Sequence, residues 1–113
     1  MSTFSIKPGA ALDDMAPAIC EAIPLIANVF WSFGYKATIT CGTDGKHKEN
    51  SLHYEGKALD WRTWTDDVGT QMAYDLKMAI CREILRELAS LSDRFQFEIE
   101  STHIHIEYDD RGY

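Results

Sequence analysis

Ser51-Leu52-His53-Tyr54-Glu55-Gly56-Lys57-Ala58-Leu59-Asp60-Trp61 reads as a loop that delivers a histidine, followed by a strand that delivers an aspartate to the same point. Imidazole and carboxylate are both good ligands for a divalent zinc ion, and a catalytic zinc site takes three protein ligands plus an open position for water. A third ligand is therefore expected further along the chain. Gly56 permits a turn that a side chain would obstruct, and the small Ala58 lets another element lie close over the strand. Residues two apart on a strand share a face, so Ala58, Asp60 and Arg62 point one way while Leu59 and Trp61 point into the core.

The second informative stretch closes the chain: Phe95-Gln96-Phe97-Glu98-Ile99-Glu100-Ser101-Thr102-His103-Ile104-His105-Ile106-Glu107-Tyr108. Its apolar positions are odd-numbered up to Ile99 and even-numbered from Ile104, so a bulge or tight turn at about residues 100–102 must insert the extra step. That break sets Glu100 beside His103 and His105, which share a face. The four histidines of the chain, His47, His53, His103 and His105, all fall in the two segments that have to meet.

Between and before these stretches the chain supplies a frame. Residues 4–12 form an extended lead-in punctuated by Pro8-Gly9, and Asp13 or Asp14 is placed to cap a helix running to about Phe33. Ile19, Ile23, Ile26, Val29, Phe30 and Phe33 make its apolar stripe, Gly34 ends it, and Pro24 is expected to kink or split it. Residues 36–41 alternate and are β-branched, as a strand requires, and residues 42–50 form a polar loop. Thr65 or Asp66 is expected to cap a second helix, with Asp67 near its positive end. Met72, Leu76, Ile80, Ile84 and Leu88 form its buried stripe, and Asp75, Lys77, Arg82, Glu83, Arg86 and Glu87 its wet side. The expected fold is α+β, a central antiparallel sheet packed with two main helices.

The 113 residues suit one domain with one core. A net charge of −7 argues against a nucleic-acid partner and against adhesion to an acidic membrane. The first residues lack the features of a signal peptide and no run is long enough to cross a bilayer, so a cytoplasmic, monomeric protein is expected. Cys20, Cys41 and Cys81 are odd in number and scattered, which fits reduced thiols. Cys20 and Cys81 sit among helical apolar residues as packing. Cys41 lies near the site loop but lacks an evident activating base.

The pattern Ser-x-His-x-x-Gly-x-Ala-x-Asp over residues 51–60 resembles the zinc motif of the D-alanyl-D-alanine and L-alanyl-D-glutamate peptidases, whose fold the hedgehog signalling domain shares. Ser51 to Gly56 is similar to the hedgehog form. His103-Ile104-His105, with the flanking Glu100-Ser101 and Ile106-Glu107, resembles the closing zinc motif of the same superfamily. The resemblance covers nearly the whole chain and implies one zinc-peptidase catalytic domain over residues 1–113, with zinc on His53, Asp60 and His105. It implies Glu100 as general base and His103 beside the metal. Glu100 also stands three residues before His103, a spacing the peptidases use between base and ligand, which leaves His103 as the alternative ligand. The usual peptidase arginine after the strand is missing here. Asp44-Gly45-Lys46-His47 instead resembles the hedgehog loop, which gives His47 either an electrophilic or proton-donating role or that of a solvated loop residue. The substrates implied are the stem peptides of bacterial peptidoglycan, and a small catalytic domain without an export signal suits a phage or prophage endolysin acting on the wall after release. The alternative is a hedgehog-like zinc-containing binding module without peptidase activity. Glu100 argues for catalysis, because a structural zinc has no use for a base and takes a fourth protein ligand.

Overall fold

In the computed structural model, which describes residues 3–44, 51–64 and 70–110, the elements run β1 (Phe4–Ile6), α1 (Pro17–Ser32), β2 (Ala37–Cys41), a 3-10 turn (Leu52–Glu55), β3 (Ala58–Arg62), α2 (Tyr74–Leu88), β4 (Phe95–Ile99) and β5 (His103–Tyr108). They make an α+β arrangement with one five-stranded sheet in the order β1-β2-β3-β5-β4. The sheet is mixed rather than wholly antiparallel. Part of the lead-in forms β1, which pairs parallel to β2, with α1 as the crossover a parallel pair needs. The other three pairings are antiparallel.

The motif strand lies in the middle of the sheet. Leu59 and Trp61 are buried as their alternation predicts, and Trp61 stacks on Phe30 of α1 with ring centroids 6.0 Å apart. Ile104 and Ile106 of β5 sit opposite Trp61 and Leu59, so one face of the β3–β5 pair joins the core under both helices. Asp60 pairs with His105 and Arg62 with His103 on the other face. The switch in apolar parity is made by a tight turn. Ile99 faces Ile104, the Glu100 N–H donates to the His103 carbonyl, and only Ser101 and Thr102 lie between. A two-residue connection sets odd positions of β4 across from even positions of β5 and keeps the apolar residues of both on one side.

α1 starts later than its acidic candidates for a cap. Asp13 and Asp14 do not cap it; Ala16 stands at the N-cap and Pro17 opens the helix, where a missing N–H costs nothing. Pro24 neither splits nor ends the helix, and it lies on the exposed side. Gly34 does terminate it, at φ +89, with the Tyr35 N–H reaching the Phe30 carbonyl and the Gly34 N–H the Trp31 carbonyl, a Schellman closure. α2 begins at Tyr74 with Ala73 as its N-cap, and Thr65, Asp66 and Asp67 lie outside the described residues. Met72 is buried just ahead of it, and Ile80, Ile84 and Leu88 are buried along it.

Two assignments to surface and core are reversed. Cys20 is exposed, whereas Cys81 is buried as expected. Lys77 is only 6% exposed: its ammonium group reaches the hairpin turn and donates to the carbonyls of Glu100 (3.3 Å) and Ser101 (3.1 Å). A buried cation needs such acceptors, and the turn supplies them from backbone that has no partner of its own strand. No helix among the described residues is long and apolar enough to cross a membrane.

The lead-in also packs over the site-bearing loops. Ala16 N–H donates to the Gly56 carbonyl and Thr43 N–H to the Ala11 carbonyl. The Asp44 carboxylate accepts from both Ala11 and Gly42 N–H groups at 2.8 Å. A Cβ on Gly56, which has φ +69, would come within 2.3 Å of the Asp14 carbonyl oxygen, while one on Gly34 meets nothing. Gly34→Ala is therefore expected to lose about 1–2 kcal/mol, the cost of the left-handed backbone alone. Gly56→Ala adds overpacking and is expected to lose about 2–5 kcal/mol. Urea denaturation of the two variants checks this. Equal losses would mean that the lead-in moves aside without cost.

Candidate metal centre

His53 reaches the site from the 3-10 turn, which Ser51 starts by accepting the His53 N–H on its own hydroxyl and which Gly56 ends. The ring is buried, at 2% exposure. Its Nδ1–H donates to the Gly42 carbonyl at 2.8 Å, which leaves the Nε2 lone pair facing the sheet. Nε2 lies 3.1 Å from Asp60 Oδ1 and 3.1 Å from His105 Nδ1, and those two atoms are 3.0 Å apart. Three donor atoms on a tetrahedral zinc stand roughly 3.3 Å from one another, given bonds of about 2.0–2.1 Å. The triangle formed by His53, Asp60 and His105 is of that size.

The opposite nitrogen of His105 is also fixed. Nε2–H donates to Glu107 Oε1 at 2.7 Å, an arrangement that orients a ligating histidine and raises its basicity. Glu107 shares the strand face of His105 by being two residues on, so the spacing carried this signal in the sequence. His103 lies beside the triangle. Its Nε2 is 3.5 Å from Asp60 Oδ2, and Thr102 Oγ1 meets its Nδ1 at 3.2 Å. His105, not His103, thus supplies the third apex.

Cys41 is the residue the sequence passed over. A bulge at Thr40 lies between the pairs Ile39–Trp61 and Cys41–Asp60. Strict alternation sends Cys41 to the core with Ile39. The extra residue turns it to the Asp60 face instead. Cys41, His53 and Asp60 lie close enough to hold a metal ion, their ligand atoms all within 4.8 Å of one another. Burial, with the charges of Asp44 and Asp60, pushes the Cys41 thiol up to about 12, so it is un-ionised unless a cation displaces its proton.

Glu100 stands across the hairpin from His103, and Glu98 directly across from His105, both exposed at the rim of this face. The Glu100 carbonyl is the one held by Lys77. His47, the remaining candidate, lies outside the described residues. No protein-family model matches the chain, and no curated protein matches it.

Their protonation follows from the geometry. Burial alone raises the Asp60 carboxyl, but its close contacts with the His105 and His53 rings outweigh it and hold Asp60 below the usual carboxylate range. Burial likewise lowers His105, and its hydrogen bonds to Asp60 and Glu107 outweigh that and raise it. The 3.0 Å hydrogen bond between His105 Nδ1 and Asp60 Oδ1 requires a proton between them. A metal ion must displace that proton. Because the folded-state value of His105 is raised, proton competition sets in above the ordinary histidine value of about 6.5 as pH falls. Zinc affinity is expected to drop about tenfold per pH unit below the His105 value, with release of a proton on binding. Calorimetry in buffers of different ionisation enthalpy measures both, and a pH-independent affinity between 5 and 8 would contradict it. His53→Ala and His105→Ala should abolish stoichiometric binding, and Glu107→Gln should weaken it about 10- to 100-fold.

Proposed function

We propose that the protein is a zinc metallopeptidase that hydrolyses short peptidoglycan stem peptides, as a D-alanyl-D-alanine carboxypeptidase or L-alanyl-D-glutamate endopeptidase of the hedgehog-related fold. The observation that carries the reading is the triangle of His53 Nε2, Asp60 Oδ1 and His105 Nδ1, in which two imidazoles and a carboxylate converge from elements far apart in sequence. A zinc ion on these ligands supplies Lewis acidity to a water molecule and to the substrate carbonyl, lowering the water's pKa to about 7.

The side chains around the triangle divide the remaining work. Glu100 takes the proton of the attacking water and passes it to the leaving amine. His103, held by Thr102 on one nitrogen, presents the other towards Asp60 and stabilises the negative charge that develops on the carbonyl oxygen. His47 belongs to the same proposal as a second electrophilic group. The chain works as a monomeric domain of the kind found in a phage or prophage endolysin that a separate factor releases onto the wall.

Cys41 favours a second reading. With a thiolate from Cys41 added to His53, Asp60 and His105, the site would have four protein ligands, the closed set of a structural zinc. The protein would then be a binding module. Cobalt substitution separates the two: a thiolate-to-cobalt band that vanishes in Cys41→Ser supports the closed site, and its absence supports the open one.

Hydrolysis of purified stem peptides, followed by mass spectrometry, tests the enzyme. Glu100→Gln is expected to lose about 100-fold or more in turnover with zinc content unchanged. If Glu98→Gln shows that loss and Glu100→Gln does not, the base is the residue opposite His105. A zinc-loaded protein that leaves all stem peptides intact retires the peptidase.

A further inference from the structure

The two edges of the sheet are unlike each other. β1 is three residues long and runs at once into Lys7-Pro8, and shortness, lysine and proline are the usual means by which an edge is kept from pairing with another chain. β4 has none of these. It is five residues, Phe-Gln-Phe-Glu-Ile, without lysine, proline or glycine, and it pairs with β5 in unbroken register. Among the described residues no strand lies beyond it.

The outward backbone of β4 follows from the ladder. The Asp109 N–H donates to the Arg94 carbonyl at one end of the β4–β5 pair and the Glu100 N–H to the His103 carbonyl at the other. Bonded positions alternate in an antiparallel pair, so Gln96 and Glu98 turn their N–H and C=O groups to β5, while Phe97 and Ile99 turn theirs outward. On the core side Phe97 and Ile99 face Ile106 and Ile104, yet they are only half-buried where those partners are 1% exposed, because the apolar layer stops at β4. On the opposite side Gln96 and Glu98 are exposed. A cavity of about 370 Å³ lies there, lined by Gln96, Phe97, Glu98 and Glu107, with two carboxylates and no cation in its wall. Glu98 has no ion-pair partner among the described residues.

We infer that β4 takes up an extended segment of a partner protein as an added antiparallel strand, and that this segment alternates apolar with basic residues. Paired residues share a face, so a residue set opposite Phe97 or Ile99 continues the apolar layer. One set opposite Gln96 or Glu98 enters the acidic cavity, where lysine or arginine matches the charge. A second copy of this chain fits less well, because its β4 brings no cation to Glu98 and its net charge of −7 repels the same charge on the first. The added strand is separated from His105 by β4 and leaves the metal centre open. The inference therefore stands apart from the peptidase reading.

The probe is the peptide acetyl-Val-Lys-Val-Lys-Val-amide, titrated into the full-length protein while amide hydrogen exchange is followed by NMR. At saturation the Phe97 and Ile99 amides are expected to exchange about tenfold or more slowly, and those of Gln96 and Glu98, already bonded to β5, to change little. The same peptide with glutamate in place of lysine should bind about tenfold more weakly, and Glu98→Lys should lose that preference. The amide spectrum of Glu98→Lys without peptide reports that it is folded. Methylating the three valine nitrogens of the peptide removes the donors that meet β4 and should abolish binding with every side chain in place. Unchanged exchange at Phe97 and Ile99, equal binding of the lysine and glutamate peptides, or undiminished binding of the methylated peptide overturns the inference. So does protection of the same two amides that grows with protein concentration in the absence of peptide, which makes the occupant a second copy.

Discussion

Asp60 lies directly across from His105, and the pairing of β3 with β5 is the constraint on which the site depends. The same pairing puts Leu59 against Ile106 and Trp61 against Ile104 on the far side of the sheet, all of them buried. Shifting the register by one residue would expose that apolar set and bury the polar one. Hydrophobic burial under the two helices, at about 25 cal/mol per Å² of apolar surface, therefore fixes the position of a carboxylate and an imidazole that left alone would not adjoin a second imidazole. The fold's stability and the site's convergence are two faces of one strand pairing.

His53 is added to this pair from outside the sheet, and its position relies on backbone rather than on side-chain packing alone. The Gly42 carbonyl selects the tautomer, and the lead-in covers Gly42 and Gly56 on either side of the turn. On the opposite flank Lys77 grips the hairpin turn that separates Glu100 from His103. Helix, lead-in and hairpin thus each restrain one part of the site, which suits a centre whose donors must stay within tenths of an ångström.

Much of this was legible in the sequence because it depends on periods. Alternation placed Asp60 with Arg62 and His103 with His105, and the parity switch called for a turn at residues 100–102. The illegible parts are those where local geometry overrides a period. Thr40 inserts one residue into β2 and turns Cys41 towards Asp60, a displacement invisible to a count of two. Lys77 sits at a position that reads as solvent-facing, and only the presence of the hairpin carbonyls makes its burial tolerable. Asp13 and Asp14 are good caps by type, but the chain is still crossing Gly56 there, and the helix waits for Pro17. Arg62 was placed on the Asp60 face correctly, yet its stacking on the Trp64 ring follows from no strand pattern.

The distances along the chain between the three donors have a consequence for how the protein acquires its form. His53 and Asp60 are seven residues apart, whereas Asp60 and His105 are separated by 45. Closing the longer loop costs about 1.6 kcal/mol more in chain entropy than closing the shorter one, by the logarithmic dependence on length. The first two donors, with Cys41 nearby, can meet while β5 is still undocked. With an ion at the site, an unfolded or half-folded chain would retain some hold on it, and whatever affinity that partial chelate had would be subtracted from the stabilisation the metal would confer on the native state.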